Sequence, residues 1–66
     1  MDDVDERIGA RIRAEREARG WSLTLLAGKS GVSRAMIHKV ERGESSPTAS
    51  LLAKLALAFW MVWYGM

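Results

Sequence analysis

The 66-residue sequence predicts an all-α fold, a compact bundle of four to five short helices, and three observations carry that prediction. Good helix formers (Ala, Arg, Glu, Leu) fill the stretches between breaks. The breaks are compact clusters of glycine, serine and the single proline: Gly20-Trp21-Ser22, Gly31-Val32-Ser33 and Gly43-Glu44-Ser45-Ser46-Pro47-Thr48. No run alternates apolar and polar residues between hairpin turns, so no strand is expected. The length leaves room for one small domain, residues 1–66, which buries only roughly 60% of the surface its unfolded chain exposes.

The first helix is expected over residues 5–19. Val4, Ile8 and Ile12 recur every four residues as a narrow apolar stripe. Acids gather at its N-terminal end and arginines at its C-terminal end, matching the helix dipole, and Gly20 provides the stop. Ser22 can cap a second helix, Leu23–Ser30, that Gly31 ends; Gly28 within it costs about 1 kcal/mol relative to alanine. Ser33 can cap a third helix over residues 34–42, closed by Gly43. A fourth, over residues 49–59, can start from Thr48 or from Ser46, the latter placing Pro47 in its first turn. Residues 60–64 either extend it or make a short fifth turn.

Composition removes several function classes. With no cysteine there is no disulfide and no thiolate site, and with His38 as the single histidine there is no two-imidazole metal centre. No nucleophile–base set, metal cluster or phosphate loop is present, so an enzyme is not expected and no cofactor is implied. The acidic start, MDDVDERIG, is unlike a signal peptide, which makes the cytoplasm the default location. The longest low-charge run, residues 55–66, is too short for a bilayer-spanning helix of about 20 residues, so no membrane association is expected. The net charge of +2 is unevenly placed: residues 1–20 balance at −1, whereas residues 21–44 balance at +2. That middle excess suits a polyanionic partner.

Two short helices separated by only Gly31-Val32-Ser33 form the arrangement of a helix-turn-helix. Ala27 is small where two crossing helices approach, and Gly31 sits where the turn calls for a positive φ. Leu26, Ile37 and Val40 supply contacts that lock the second helix of the pair across the first. The outer side of that helix is then left with Arg34, Ala35, His38 and Lys39, side chains able to enter a major groove.

At these residues the chain resembles the lambda-repressor-like, Cro-type helix-turn-helix family, also called the xenobiotic-response-element family. The shared marks are Arg16 ahead of Gly20, the Ser22 cap, Leu26-Ala27, Gly31-Val32-Ser33, Ile37, Glu41 and Gly43, and Pro47-Thr48 opening the next helix. The resemblance covers roughly residues 7–59. It implies a four- or five-helix bundle that binds double-stranded operator DNA as a symmetric dimer, and hence a sequence-specific transcriptional regulator, expected to be a repressor.

The resemblance makes Arg34, Ala35 and Lys39 base-contacting positions. Arg34 and Lys39 can donate to guanine, and Ala35 offers a methyl. His38 is a further base-contact candidate, balanced against an ordinary surface histidine. Ser22 and Ser33, at helix N-termini, together with Arg42 and Ser45, are the phosphate-contact candidates. Arg16 and Glu41 resemble the family's inter-helix ion pair. The remaining arginines of residues 7–19 interleave with glutamates at helical spacings and are read as surface pairs. Trp21 is expected in the core and Met36 as a half-buried filler.

Three features depart from the family pattern. Leu25 stands where a glutamate would complete the Ser22 capping box, Gly28 replaces a helix former, and the chain ends in FWMVWYGM. One copy of so small a chain is not expected to cover Phe59, Trp60, Trp63 and Tyr64, so these four are read as a homodimer contact. If the chain is a fragment, a downstream effector domain covers them instead. The alternative function is a protein-interaction module, such as an antitoxin, that captures a partner protein with this tail.

Overall fold

The computed structural model describes residues 3–60. They form four helices, α1 (Asp3–Ala18), α2 (Leu23–Ser30), α3 (Arg34–Glu41) and α4 (Ala49–Trp60), with no strand among the described residues. The all-α class and all four expected helices are present. Helix α1 starts two residues earlier than residue 5, with Asp3, Asp5 and Glu6 all in its first turn beside the positive end of the dipole. It ends as its last carbonyls accept from the turn: Gly20 N–H donates to the Glu17 carbonyl (3.0 Å) and Trp21 N–H to the Arg16 carbonyl (3.1 Å).

Thr48, not Ser46, starts α4: its Oγ1 accepts from the Leu51 amide at 3.1 Å. Pro47 therefore precedes the helix rather than lying in its first turn. Ser46 Oγ instead donates to Asp5 Oδ2, tying the 43–48 loop to the first turn of α1.

Helix α3 packs against both α1 and α2, and α4 packs against α2 and α1. The shared core is Ile12, Leu26, Val32, Ile37, Val40, Leu55, Ala58 and Phe59, with Ile8, Trp21, Leu23, Ala27 and Met36 packed partly buried against it. Leu26, Ile37 and Val40 are fully buried, as the helix-turn-helix reading requires. Of the α1 stripe, Ile12 and Ile8 reach the core but Val4 is 51% exposed, one turn too far along the helix.

The C-terminal aromatics divide. Phe59 is only 3% exposed: its ring stacks on Trp21 at 5.9 Å, and the Arg19 guanidinium lies 5.0 Å from the ring centre. The expectation that one copy cannot cover Phe59 is therefore corrected. It is a core residue, because Trp21 and Arg19 close over it from the α1–α2 connection. Trp60, by contrast, is 53% exposed. Trp63 and Tyr64, and with them the question of a fifth turn, lie outside the described residues.

Candidate nucleic-acid interface

Two serine caps and one left-handed glycine build the local geometry. Ser22 is extended (φ −77°, ψ 166°), and its Oγ accepts from the Leu25 amide at 3.0 Å. The cap forms without the glutamate of a capping box, and Leu25 is exposed. Helix α2 stops at Gly31, whose φ of 76° places it in the left-handed region while its N–H donates to the Ala27 carbonyl at 2.9 Å. A side chain there would be strained by the backbone conformation alone. Val32 then drops into the core, its amide donating to Ser30 Oγ (3.1 Å), and Ser33 caps α3 by accepting from Met36 N–H at 3.2 Å.

Burial orients α3. Ile37 and Val40 are fully buried and Met36 half-buried, which leaves Arg34, Ala35, His38 and Lys39 exposed together on the opposite side. Arg34 and His38 are four residues apart, as are Ala35 and Lys39, so the four form one outward strip. The sequence expectation placed these same residues outward. Ser22 and Ser33 are also exposed. Each uses its oxygen as a cap acceptor and keeps its hydroxyl proton to donate, and the first amides of α2 and α3 have no intrahelical acceptor.

The other two phosphate candidates are placed differently. Arg42 is the C-cap residue of α3 and pairs in the open with Glu44 (Nε–Oε2 2.8 Å). Ser45 is half-buried, and its hydroxyl turns inward to the Met36 sulfur at 3.9 Å, so a phosphate would have to displace that weak contact.

The frame behind the strip is an ion pair. Arg16 on α1 grips Glu41, the last residue of α3, through Nε–Oε2 (2.7 Å) and Nη2–Oε1 (2.9 Å), and its Nη1 donates to the Trp21 carbonyl at 2.9 Å. The side chains are 13% and 4% exposed. Hydrogen bonding to Glu41 pushes the Arg16 pKa up, outweighing the opposing effect of burial. One planar guanidinium thus fixes the end of α3, the end of α1 and the entry to α2. The expected surface pairs also form, with Glu15 bridging Arg11 and Arg19, and Arg13 pairing with Glu17.

One scaffold residue escaped the sequence reading. Gly9 is buried where α1 crosses α3, and a Cβ built on it would lie 2.1 Å from the Val40 carbonyl oxygen and 3.0 Å from that of Glu41. The available signal was a glycine isolated inside an otherwise strong helix, which marks close packing as often as a break.

A pair of short helices anchored on the core by Leu26, Ile37 and Val40, capped by serines and presenting a polar strip on the second, defines a helix-turn-helix module. Comparison with known proteins places it more narrowly. The helix-turn-helix family model HTH_3 matches residues 12–59, and the chain belongs to that family. It is 43% identical over 56 residues to the HTH-type transcriptional regulator SutR of Escherichia coli, covering 85% of this chain and 32% of that protein. It is 46% identical over 50 residues to the HTH-type transcriptional regulator Rv0023 of Mycobacterium tuberculosis, covering 76% of this chain and 20% of that protein. The crystal structure of an HTH_3 family transcriptional regulator from Vibrio cholerae superposes with a TM-score of 0.82 at 42% identity, over 83% of this chain and 31% of that one. The chain thus spans between a fifth and a third of the length of these three relatives. All three are named as regulators, none as an enzyme. No helix among the described residues is long and apolar enough to cross a membrane.

Proposed function

We propose that the chain reads DNA sequence for a transcriptional regulator, acting as a repressor, by seating α3 in the major groove of a pseudo-palindromic operator. The observation that carries the proposal is the division of α3 itself: Ile37 and Val40 fully buried, and Arg34, Ala35, His38 and Lys39 exposed as one strip. Arg34 and Lys39 donate to guanine O6 and N7, Ala35 approaches a thymine methyl, and Ser22 and Ser33 hold phosphates at the two helix N-termini. Two such modules related by a two-fold axis read half-sites about one turn, roughly 34 Å, apart.

The dimer contact is assigned to the open face between α1 and α4. That face is a groove of about 550 Å³ lined by Val4, Ile8, Leu52, Ala56 and Trp60 among others. Trp60 stands exposed at its edge, and a second copy covers it.

The test starts from duplexes selected by the protein from a random pool. Arg34→Ala and Lys39→Ala each weaken binding to the selected site by about 1–3 kcal/mol and relax its sequence preference. Unchanged affinity and preference in both variants refutes the role of α3. Sedimentation of Trp60→Ala tests the dimer: an unchanged association constant refutes the groove, and loss of binding to a partner protein with self-association intact supports the interaction-module alternative.

A further inference from the structure

Beside the reading strip lies a second polar depression, of about 440 Å³, lined by Arg13 and Arg16 from α1, Leu23 from α2, and His38, Glu41 and Arg42 from α3 and its cap. Three arginines and the single histidine meet there from separate parts of the chain. The acid in its wall, Glu41, is already neutralised by the two-pronged grip of Arg16. The remaining guanidiniums are held only by exposed partners: Arg13 by Glu17 at 3.1 Å, with side chains 62% and 54% exposed, and Arg42 by Glu44 at 2.8 Å, 61% and 51% exposed. Solvent-exposed pairs of this kind contribute little to stability, so little is lost when the guanidinium changes partner. A backbone phosphate draws it through the dense charge of the whole duplex, and guanidinium binds it with paired hydrogen bonds.

We propose that this depression is a backbone-phosphate seat, with Arg13 of α1 and Arg42 as its cationic arms and His38 at its rim. The footprint on nucleic acid then extends beyond the helix-turn-helix onto α1. The inference rests on the proposed seating of α3 in a groove: His38 belongs to both the strip and the depression, so a duplex against the strip carries its sugar–phosphate backbone past Arg13. On binding, Arg13 leaves Glu17 and Arg42 leaves Glu44, and each takes a phosphate oxygen in exchange. Arg13 positions the duplex and reads no base.

The experiment compares Arg13→Gln with Lys29→Gln on the selected duplex and on a scrambled one, each across a salt series. Lys29 carries the same charge on α2, where its ammonium lies 5.0 Å from the centre of the Trp21 ring, and it lines neither the depression nor the apolar groove between α1 and α4. Each phosphate contact contributes about 0.9 to the slope of log affinity against log salt. A dimer carries two such seats, so Arg13→Gln should flatten that slope by about 1.8 on both duplexes, and the loss of affinity over a fourfold rise in salt shrinks about 12-fold. The ratio of selected to scrambled affinity stays as in the parent, and Lys29→Gln leaves the slope unchanged. An unchanged slope in Arg13→Gln, or equal flattening in both variants, overturns the seat. The proposal for α3 fails separately, through unchanged sequence preference in Arg34→Ala and Lys39→Ala.

Discussion

Replacing glycine by alanine at two helical positions should move stability in opposite directions, and the structure supplies both magnitudes. Gly28 sits in α2 with nothing within 4 Å of where a methyl would stand, so alanine there gains helix propensity without a clash. The expected gain is about 0.4–1 kcal/mol, or roughly 2–8 °C in Tm for a domain of this size. Gly9 has the same propensity to gain but no room. A Cβ at 2.1 Å from the Val40 carbonyl oxygen falls about 1.3 Å short of the 3.4 Å at which ordinary contact begins, and the obstacle is backbone. Helix α1 must therefore lift off α3, loosening Ile12 from Val40 and pulling Arg16 from Glu41. Overpacking costs about 1–3 kcal/mol before any loss at the ion pair, against a propensity gain of at most about 1. The net expectation is a loss of about 2 kcal/mol, or roughly 8–16 °C in Tm. Thermal melts followed by circular dichroism at two protein concentrations measure both variants. A Gly9→Ala protein that melts at or above the parent refutes the close α1–α3 crossing.

Three further outcomes are expected. Glu41→Gln leaves the nearly buried Arg16 facing a neutral amide and should cost about 1–3 kcal/mol in urea denaturation; an unshifted midpoint would show that the pair adds nothing to the frame. The Glu15 carboxyl is held below the ordinary range, first by its hydrogen bond with Arg19 and then by that with Arg11. Its contribution is present above the unfolded carboxylate pKa and is lost as pH falls through the lowered folded value, so Glu15→Gln should flatten the acid limb of stability against pH; a limb parallel to the parent's counts against it. Finally, affinity for a selected duplex should fall linearly on a log–log salt plot, whereas a flat response would exclude a phosphate-dominated interface.

The parts of the fold that were legible in the sequence are those set by local chemistry. Ser22, Gly31 and Ser33 each act through bonds to residues three or four positions away, so α2 and the start of α3 could be bounded to the residue. Leu26, Ile37 and Val40 were legible from the helix-turn-helix spacing, which sets the second helix of the pair across the first. What depended on distant chain segments was not. Val4 continues the α1 stripe but stays 51% exposed at the rim of the α1–α4 groove, and Phe59 looked surplus until Trp21 and Arg19, some 40 residues earlier, folded over it. Gly9 likewise acquires its meaning only from the carbonyls of Val40 and Glu41. The outward strip of α3 follows from the buried side of the same helix. Arg13 needed the third dimension, since its helical neighbour Glu17 accounts for it locally and only the fold brings it beside His38 and Arg42.

That contrast bears on how the module divides labour between its charges. Arg16 and Arg13 are one helical turn apart on α1, yet their partners differ in burial: Glu41 is 4% exposed and Glu17 is 54% exposed. A pair removed from solvent resists exchange, because releasing Arg16 would strand the Glu41 carboxylate in the interior. A pair in water gives up little when an incoming phosphate takes one member. Burial alone therefore sorts two chemically identical side chains into a fixed strut and an available arm. The strut holds the end of α3 at the rim of the depression that Arg13 helps to line, so loosening Arg16–Glu41 should degrade positioning on DNA as well as stability. In a Glu41→Gln protein studied well below its melting temperature, removing an acid from the wall of the depression favours any duplex, so lost positioning should show instead as a smaller ratio of selected to scrambled affinity.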